Sequence, residues 1–326
     1  IGEATLTPAS LAILSDVFPE RWRARAAGIF AIGLPIGSGF SLIVAGLLAP
    51  RYGWRACFVV LGVVGVLAAV VVGMMPDPVR RGVKRRPASV IEGRRAAANV
   101  RRPLAGHFRN GPVYDFASTV RRSPALILTI LGGAVVTFST AATIHVLTWL
   151  VRERGFEFRE AALLTGGIYA LAGTIGNVAG GWFADVCAAR WHGGRLWSLV
   201  ITQAILVPPT LLFFLSAPGS TGFYIGWVLS SLRGTIWYGP LYAATQDLAP
   251  PHARATSVAF LMLAINLLGA GPGPWLAGAI GDRSSLTDGL VVTTWAGMLA
   301  VVPFALAARQ TPRSESVQRR LGVSSE

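Results

Sequence analysis

Apolar runs dominate the chain. Nine follow one another, at about 1–15, 24–48, 54–75, 125–151, 161–186, 196–216, 223–246, 255–281 and 290–308. Most reach the roughly 20 residues that an α-helix needs to cross a bilayer, so the pattern predicts an all-α membrane protein. The first run is shorter, and residue 1 is Ile, so the chain is expected to begin inside a helix. Connections between runs are short except for 76–124, a polar stretch that holds 12 of the 29 basic residues. That stretch has too few apolar residues to form a core of its own.

The composition agrees. Hydrophobic residues make up 53% of the 326 and charged residues 13%, about half the charged share of a soluble domain. The net charge of +14 does not indicate a nucleic-acid partner, because the basic residues lie in the gaps between apolar runs. With the 76–124 stretch placed in the cytoplasm and the runs alternating, 22 basic residues fall inside and 6 outside. This asymmetry predicts an inner-membrane protein with a cytoplasmic C-terminus. The two cysteines, Cys57 and Cys187, fall at opposite ends of the membrane in this topology, too far apart to bridge.

An internal repeat organises the rest. Asp16-x-x-Pro19-x-x-x-Arg23 returns 231 residues later as Asp247-x-x-Pro250-x-x-x-Arg254, each copy followed by a glycine-studded apolar run. The loop follows the fourth of six runs after the long linker, but the first of three before it. If the halves are equivalent, three spans are missing from the N-terminus. The expected organisation is a partial N-terminal half (1–75), a basic cytoplasmic linker (76–124), a six-helix C-terminal half (125–308) and a cytoplasmic tail (309–326). Two homologous halves in one orientation are a known design of secondary transporters.

These residues resemble the major facilitator superfamily, and within it the Spinster-like branch. The likeness rests on Gly2-Glu3-Ala4 with Pro8, on Ser15-Asp16 with Phe18-Pro19 and Arg23, and on Gly53-Trp54-Arg55. It continues through Thr148-Trp149-Leu150 with Arg154-Gly155, Gly180-Gly181 with Asp185, Arg254-Ala255, Asn266 and the run from Gly269 to Pro274. The resemblance implies helices four to twelve of a twelve-helix transporter working by alternating access. It also implies a central cavity flanked by the first and seventh runs, and a role in proton coupling for the glutamate of Gly-Glu-Ala, here Glu3.

Two charges lie within apolar runs. Glu3 stands 13 residues before Asp16, and Arg233 stands 14 before Asp247, so the two are matched in depth and opposite in charge. Intramembrane charges are functional candidates by default. Glu3 is the candidate proton carrier, the alternative being a structural carboxylate bonded to a neighbouring helix. Arg233 is the candidate substrate ligand or partner of Glu3, its fork suited to a carboxylate or phosphate. Trp237, Tyr238 and Tyr242 follow on the same helix as cavity-lining candidates, with core packing the alternative. Asn177 and Asn266 are expected to bond between helices, with Asn266 also a candidate for the substrate site. His145 is expected near the outer surface with a local partner.

Asp16, Arg23, Asp185, Arg190, Asp247 and Arg254 are the expected cytoplasmic gate, with Arg195 beside them. Val186 and Cys187 stand where the family often has a basic residue after the Asp, which predicts a weak latch. Gly33/Gly37, Gly176/Gly180 and Gly269/Gly273 have the spacing of close helix contacts rather than of a nucleotide loop. There is no Walker sequence, metal-ligand spacing or catalytic triad, so no cofactor and no enzyme activity are expected. The expected function is secondary transport of a small organic or lipid-like anionic solute, coupled to protons, by a monomer in the lipid bilayer. The alternative is a transporter-like sensor or a non-transporting assembly subunit.

Overall fold

The computed structural model describes residues 10, 14, 18, 22–74, 123–250 and 253–311, with the side chain of Arg23 excepted. Every described element is helical. Before the linker come α1 (Arg23–Phe30) and α2 (Gly33–Gly73). After it come α3 (Pro124–Ala141), α4 (Val146–Arg152), α5 (Phe158–Arg190), α6 (Gly194–Leu215), α7 (Thr221–Thr235) and α8 (Tyr238–Leu248). The chain closes with α9 (Arg254–Ala264), α10 (Pro272–Gly281), α11 (Leu286–Ala296) and α12 (Val301–Gln310).

Among the described residues, 6 helical stretches are long and apolar enough to cross a membrane. The first, Ala24–Gly73, runs for 50 residues. At about 1.5 Å per residue it is roughly twice the length of one crossing. It breaks at Gly53, whose φ of 74° and ψ of 168° leave the helical region three residues after Pro50. A residue with a Cβ resists that φ. The break falls between the expected runs 24–48 and 54–75. Large apolar side chains such as Phe58, Val63 and Leu67 stand more than half exposed along this stretch, a surface suited to hydrocarbon rather than water.

Small residues set the helix contacts. Gly28 faces Asn177 and Gly181, Gly39 faces Gly166 and Ala170, and Gly46 faces Ala162. As the first number rises the second falls, so α1–α2 and α5 run antiparallel along one seam. An added Cβ at Gly39 would lie 2.5 Å from the Gly166 carbonyl oxygen, so only glycine allows this approach. Across the seam, the Asn177 Nδ2 donates to the Ala31 carbonyl at 3.2 Å. Gly176 and Gly180 seat α5 on Leu232, Thr235 and Ile236, and Gly269 and Gly273 press against α3. The pair Gly33/Gly37 departs from expectation: nothing lies within 4 Å of either added Cβ. The seam lies on the face carrying Gly28, Gly39 and Gly46 instead.

The bundle end far from Asp185 is tied by polar contacts to irregular backbone. Glu153 accepts from the Leu286 N–H at 2.6 Å and from the Thr287 N–H at 3.1 Å. The Trp149 indole donates to the Thr287 hydroxyl at 2.7 Å, and the Arg154 guanidinium lies over the Trp149 ring. His145, in the 3₁₀ turn Ala142–His145, has its Nε2 3.0 Å from the Pro274 carbonyl, a local partner as expected.

Candidate functional site

A cavity of about 950 Å³ lies between α1–α2 and the helices after the linker. Phe30, Leu34, Ser38 and Ser41 form one wall, and Thr137, Thr140, Thr165, Tyr169, Ser230 and Asn266 belong to the other. Phe213 and Trp227 stack beside it, 5.0 Å between centroids.

Trp237, Tyr238 and Tyr242 also line it. A helix break puts them there. α7 stops at Thr235 and α8 starts at Tyr238. Successive residues of an unbroken helix point about 100° apart, but the turn at Ile236–Trp237 lets neighbours stack. The Trp237 and Tyr238 rings lie 4.0 Å apart at 20°, and Tyr242, one turn on, lies 6.3 Å from Tyr238 at 21°. The Trp237 indole donates to the Gly234 carbonyl at 3.0 Å and pins the turn.

Asn266 reaches the cavity from a second irregularity, the π-helical turn Ile265–Ala270 between α9 and α10. Its Nδ2 donates to the Met262 carbonyl at 2.8 Å, leaving the amide oxygen available to a solute. Thr137 and Thr140 donate to carbonyls of their own helix. Their oxygens remain acceptors. The Thr165 hydroxyl has no protein partner among the described residues. No Asp, Glu, Lys, Arg or His of the described residues lines the cavity.

Arg233 is not in the wall. Its side chain is buried behind it, donating from Nη2 to the Ser139 hydroxyl at 2.6 Å. Ser139 in turn lies 3.3 Å from the Thr294 carbonyl. Gly297 makes the space, since an added Cβ there would lie 2.3 Å from the guanidinium. The placement has a local cause: Arg233 is in the last turn of α7, where the carbonyl end favours a cation. Among the described residues Arg233 therefore packs between α3, α7 and α11 rather than on the cavity, and its expected pairing with Glu3 lies outside them. Replacing Ser139 by Val removes a hydrogen bond to a buried charge and is expected to lower stability by about 1–3 kcal/mol. Arg233→Met, which removes the charge as well, is expected to cost less. Thermal unfolding of the two variants in detergent checks that order.

An ion network lies at the other end of the bundle. Arg195 bridges Asp185, at 3.1 Å, and Asp247. From across the seam, Arg25 donates its backbone N–H to Asp185 at 3.1 Å and brings its Nε to 3.7 Å. Asp185 is buried, Asp247 and Arg25 partly exposed. The acids stand near the C-terminal ends of α5 and α8 and the arginines in the first turns of α1 and α6, each against its helix dipole. The charges are thus stabilised by one another rather than by their own helices.

Of the expected gate, Asp185 and Asp247 meet here. Arg195, not Arg190, joins them, because Arg190 ends α5 and points into a separate cleft with Trp191 and Trp197. Arg195 also supplies the cation absent at Val186 and Cys187. Arg25 is the N-terminal partner, a contact that the repeated motif did not signal. Arg254 opens α9 with no ion pair among the described residues. Glu3, Asp16 and the side chain of Arg23 lie outside the described residues.

A helical bundle with an apolar surface, a cavity between two helix groups and an ion network at one end is the architecture of a multi-pass membrane protein. The chain belongs to the Major Facilitator Superfamily, whose family model matches residues 1–274, a family of transporters rather than enzymes. It is 31% identical over 294 residues to an MFS-type efflux pump of Mycolicibacterium smegmatis, covering 89% of this chain and 62% of the pump. It is 27% identical over 324 residues to a gallate transporter of Pseudomonas putida, covering 92% of this chain and 66% of that protein. The chain thus spans under two thirds of the length of these relatives. Its fold matches a bacterial homologue of the human lysosomal transporter Spinster, crystallised inward-facing and unoccupied. That match has a TM-score of 0.65 at 21% identity and covers 94% of this chain and 74% of the homologue.

Proposed function

We propose that the chain carries out secondary transport of an amphipathic organic solute, by alternating access between the helix groups on either side of the linker. The cavity is the observation that supports this most. It spans both groups, holds about 950 Å³ and combines aromatic faces with hydroxyl and amide groups. A charged group in such a wall would lose hydration without gaining a partner. The anionic solute expected from the sequence depended on Arg233, which stands behind the wall. An apolar or aromatic body resting on Tyr238, with a neutral polar group bonded to Ser38, Thr165, Ser230 or Asn266, fits the described lining better.

The Asp185 end is assigned to the cytoplasm on the arginine asymmetry of the sequence. The ion network there is the latch that closes the cavity on that side. Glu3 remains the proposed proton carrier. Proteoliposome uptake under an imposed pH gradient tests the reading. Aromatic amphipathic solutes should accumulate, and Tyr238→Ala should raise KM roughly two- to tenfold, the loss of one aromatic stack. Glu3→Gln should abolish the dependence on the gradient while leaving binding in place. Saturable binding without flux would contradict transport. Exclusive uptake of small hydrophilic anions would contradict the solute class.

A further inference from the structure

We infer that the turn between α5 and α6 forms a binding site for an anionic phospholipid of the cytoplasmic leaflet. A shallow cleft of about 520 Å³ is lined there by Arg190, Trp191, His192, Trp197 and Ile201. α5 ends at Arg190, and Gly193 turns the chain with a φ of 65°. Gly193 lies against Ala308, an added Cβ coming 2.7 Å from its carbonyl oxygen. The next residue, Arg309, is in the last turn of α12. The C-terminal turn of α12, which carries Arg309, therefore packs beside the cleft that Arg190 lines.

Asp185 and Asp247, the acids described at this end, are engaged by Arg195 and Arg25. Neither Arg190 nor Arg309 forms an ion pair among the described residues, and both are exposed. A phosphate or glycerol-phosphate headgroup supplies the missing negative charge.

The apolar side of the cleft selects a lipid over a free anion. Trp191 is 51% exposed, and Trp and Arg at a helix end are the usual neighbours of a headgroup. Trp197 and Ile201 stand one turn apart on α6. The same face continues through Ile205 and Leu212, 63% and 44% exposed. An acyl chain entering beside Trp197 thus has a continuous apolar track into the membrane. The assignment to the cytoplasmic leaflet rests on the orientation proposed above, whereas the chemistry of the cleft does not.

Native mass spectrometry of the purified chain in detergent, titrated with dioleoyl phosphatidylglycerol, tests the site without reference to transport or orientation. Retained phosphatidylglycerol is expected, with phosphatidylcholine retained at least tenfold less. Arg190→Gln and Arg309→Gln should each weaken phosphatidylglycerol about fivefold, the equivalent of the ~1 kcal/mol that one cation contributes at an anionic surface. Arg190→Lys, which keeps the charge, should retain binding and guards against a folding artefact. Equal retention of phosphatidylcholine, or affinity unchanged in Arg190→Gln, would overturn the inference. Displacement of the lipid by millimolar inorganic phosphate would also overturn it, by assigning the cleft to a free anion.

Discussion

Asp185→Asn is expected to release the latch. The carboxylate takes a guanidinium from Arg195 and a backbone N–H from Arg25, so it joins groups from both sides of the seam. Asparagine keeps the shape but takes one charged partner from Arg195, itself buried. Removing one partner of a buried pair costs about 3–5 kcal/mol. Asp247 offsets part of that, which places the expected loss of stability at the low end, about 3 kcal/mol. Arg25→Gln should cost far less, about 1 kcal/mol at most, because its side chain is a third exposed and the backbone N–H remains. The two variants share a contact but differ in burial. Thermal unfolding in detergent ranks them, and an equal loss would contradict the placement of Asp185 as the buried centre.

The second large effect concerns the seam. Gly39→Ala places a Cβ 2.5 Å from the Gly166 carbonyl oxygen and 2.7 Å from the Ala170 Cβ, both on the rigid face of α5. Neither neighbour can rotate away, so α2 must retreat from α5. Overpacking of this kind costs about 1–3 kcal/mol. It also holds the two helix groups apart on one side of the cavity, so transport should fall further than stability does. Gly37→Ala is the control, with nothing within 4 Å of its Cβ. Alanine there should stabilise the helix by up to about 1 kcal/mol. Matched uptake and unfolding measurements on the pair separate a seam from a generally glycine-sensitive helix.

Seven of the nine expected runs fall on stretches long and apolar enough to cross a membrane, because hydrocarbon imposes a length and an apolar content on them; 223–246 is broken at Ile236–Trp237, and 1–15 lies almost wholly outside the described residues. Even the break at Gly53 falls between two expected runs. Counting back from the repeated loops set the depth of Arg233, but depth is not direction. The helix ends at Thr235, with Arg233 before the break buried behind the wall and Tyr238 after it lining the cavity. A spacing rule reads an unbroken helix. Pro240, which cannot bond the Ile236 carbonyl, and Pro272 beside the turn at Asn266 mark both irregularities in the sequence, but not the direction in which they turn the side chains. In the latch, Asp185 and Asp247 stood out by motif. Arg195 and Arg25 became its arginines because burial and the meeting of helix ends, not sequence spacing, decide which cations reach a buried carboxylate. Gly33 and Gly37 had the right spacing but lie on the wrong face of the helix.

The central claim is a cavity between two helix groups, closed at the Asp185 end by the ion network. A cysteine at Ser38, in a background lacking Cys57 and Cys187, reports on it directly through labelling by a membrane-impermeant thiol reagent applied separately to each face. The account predicts slow labelling from the cytoplasmic face that rises at least tenfold when Asp185→Asn is added. Labelling from that face that is already fast, or unchanged by the substitution, would contradict it.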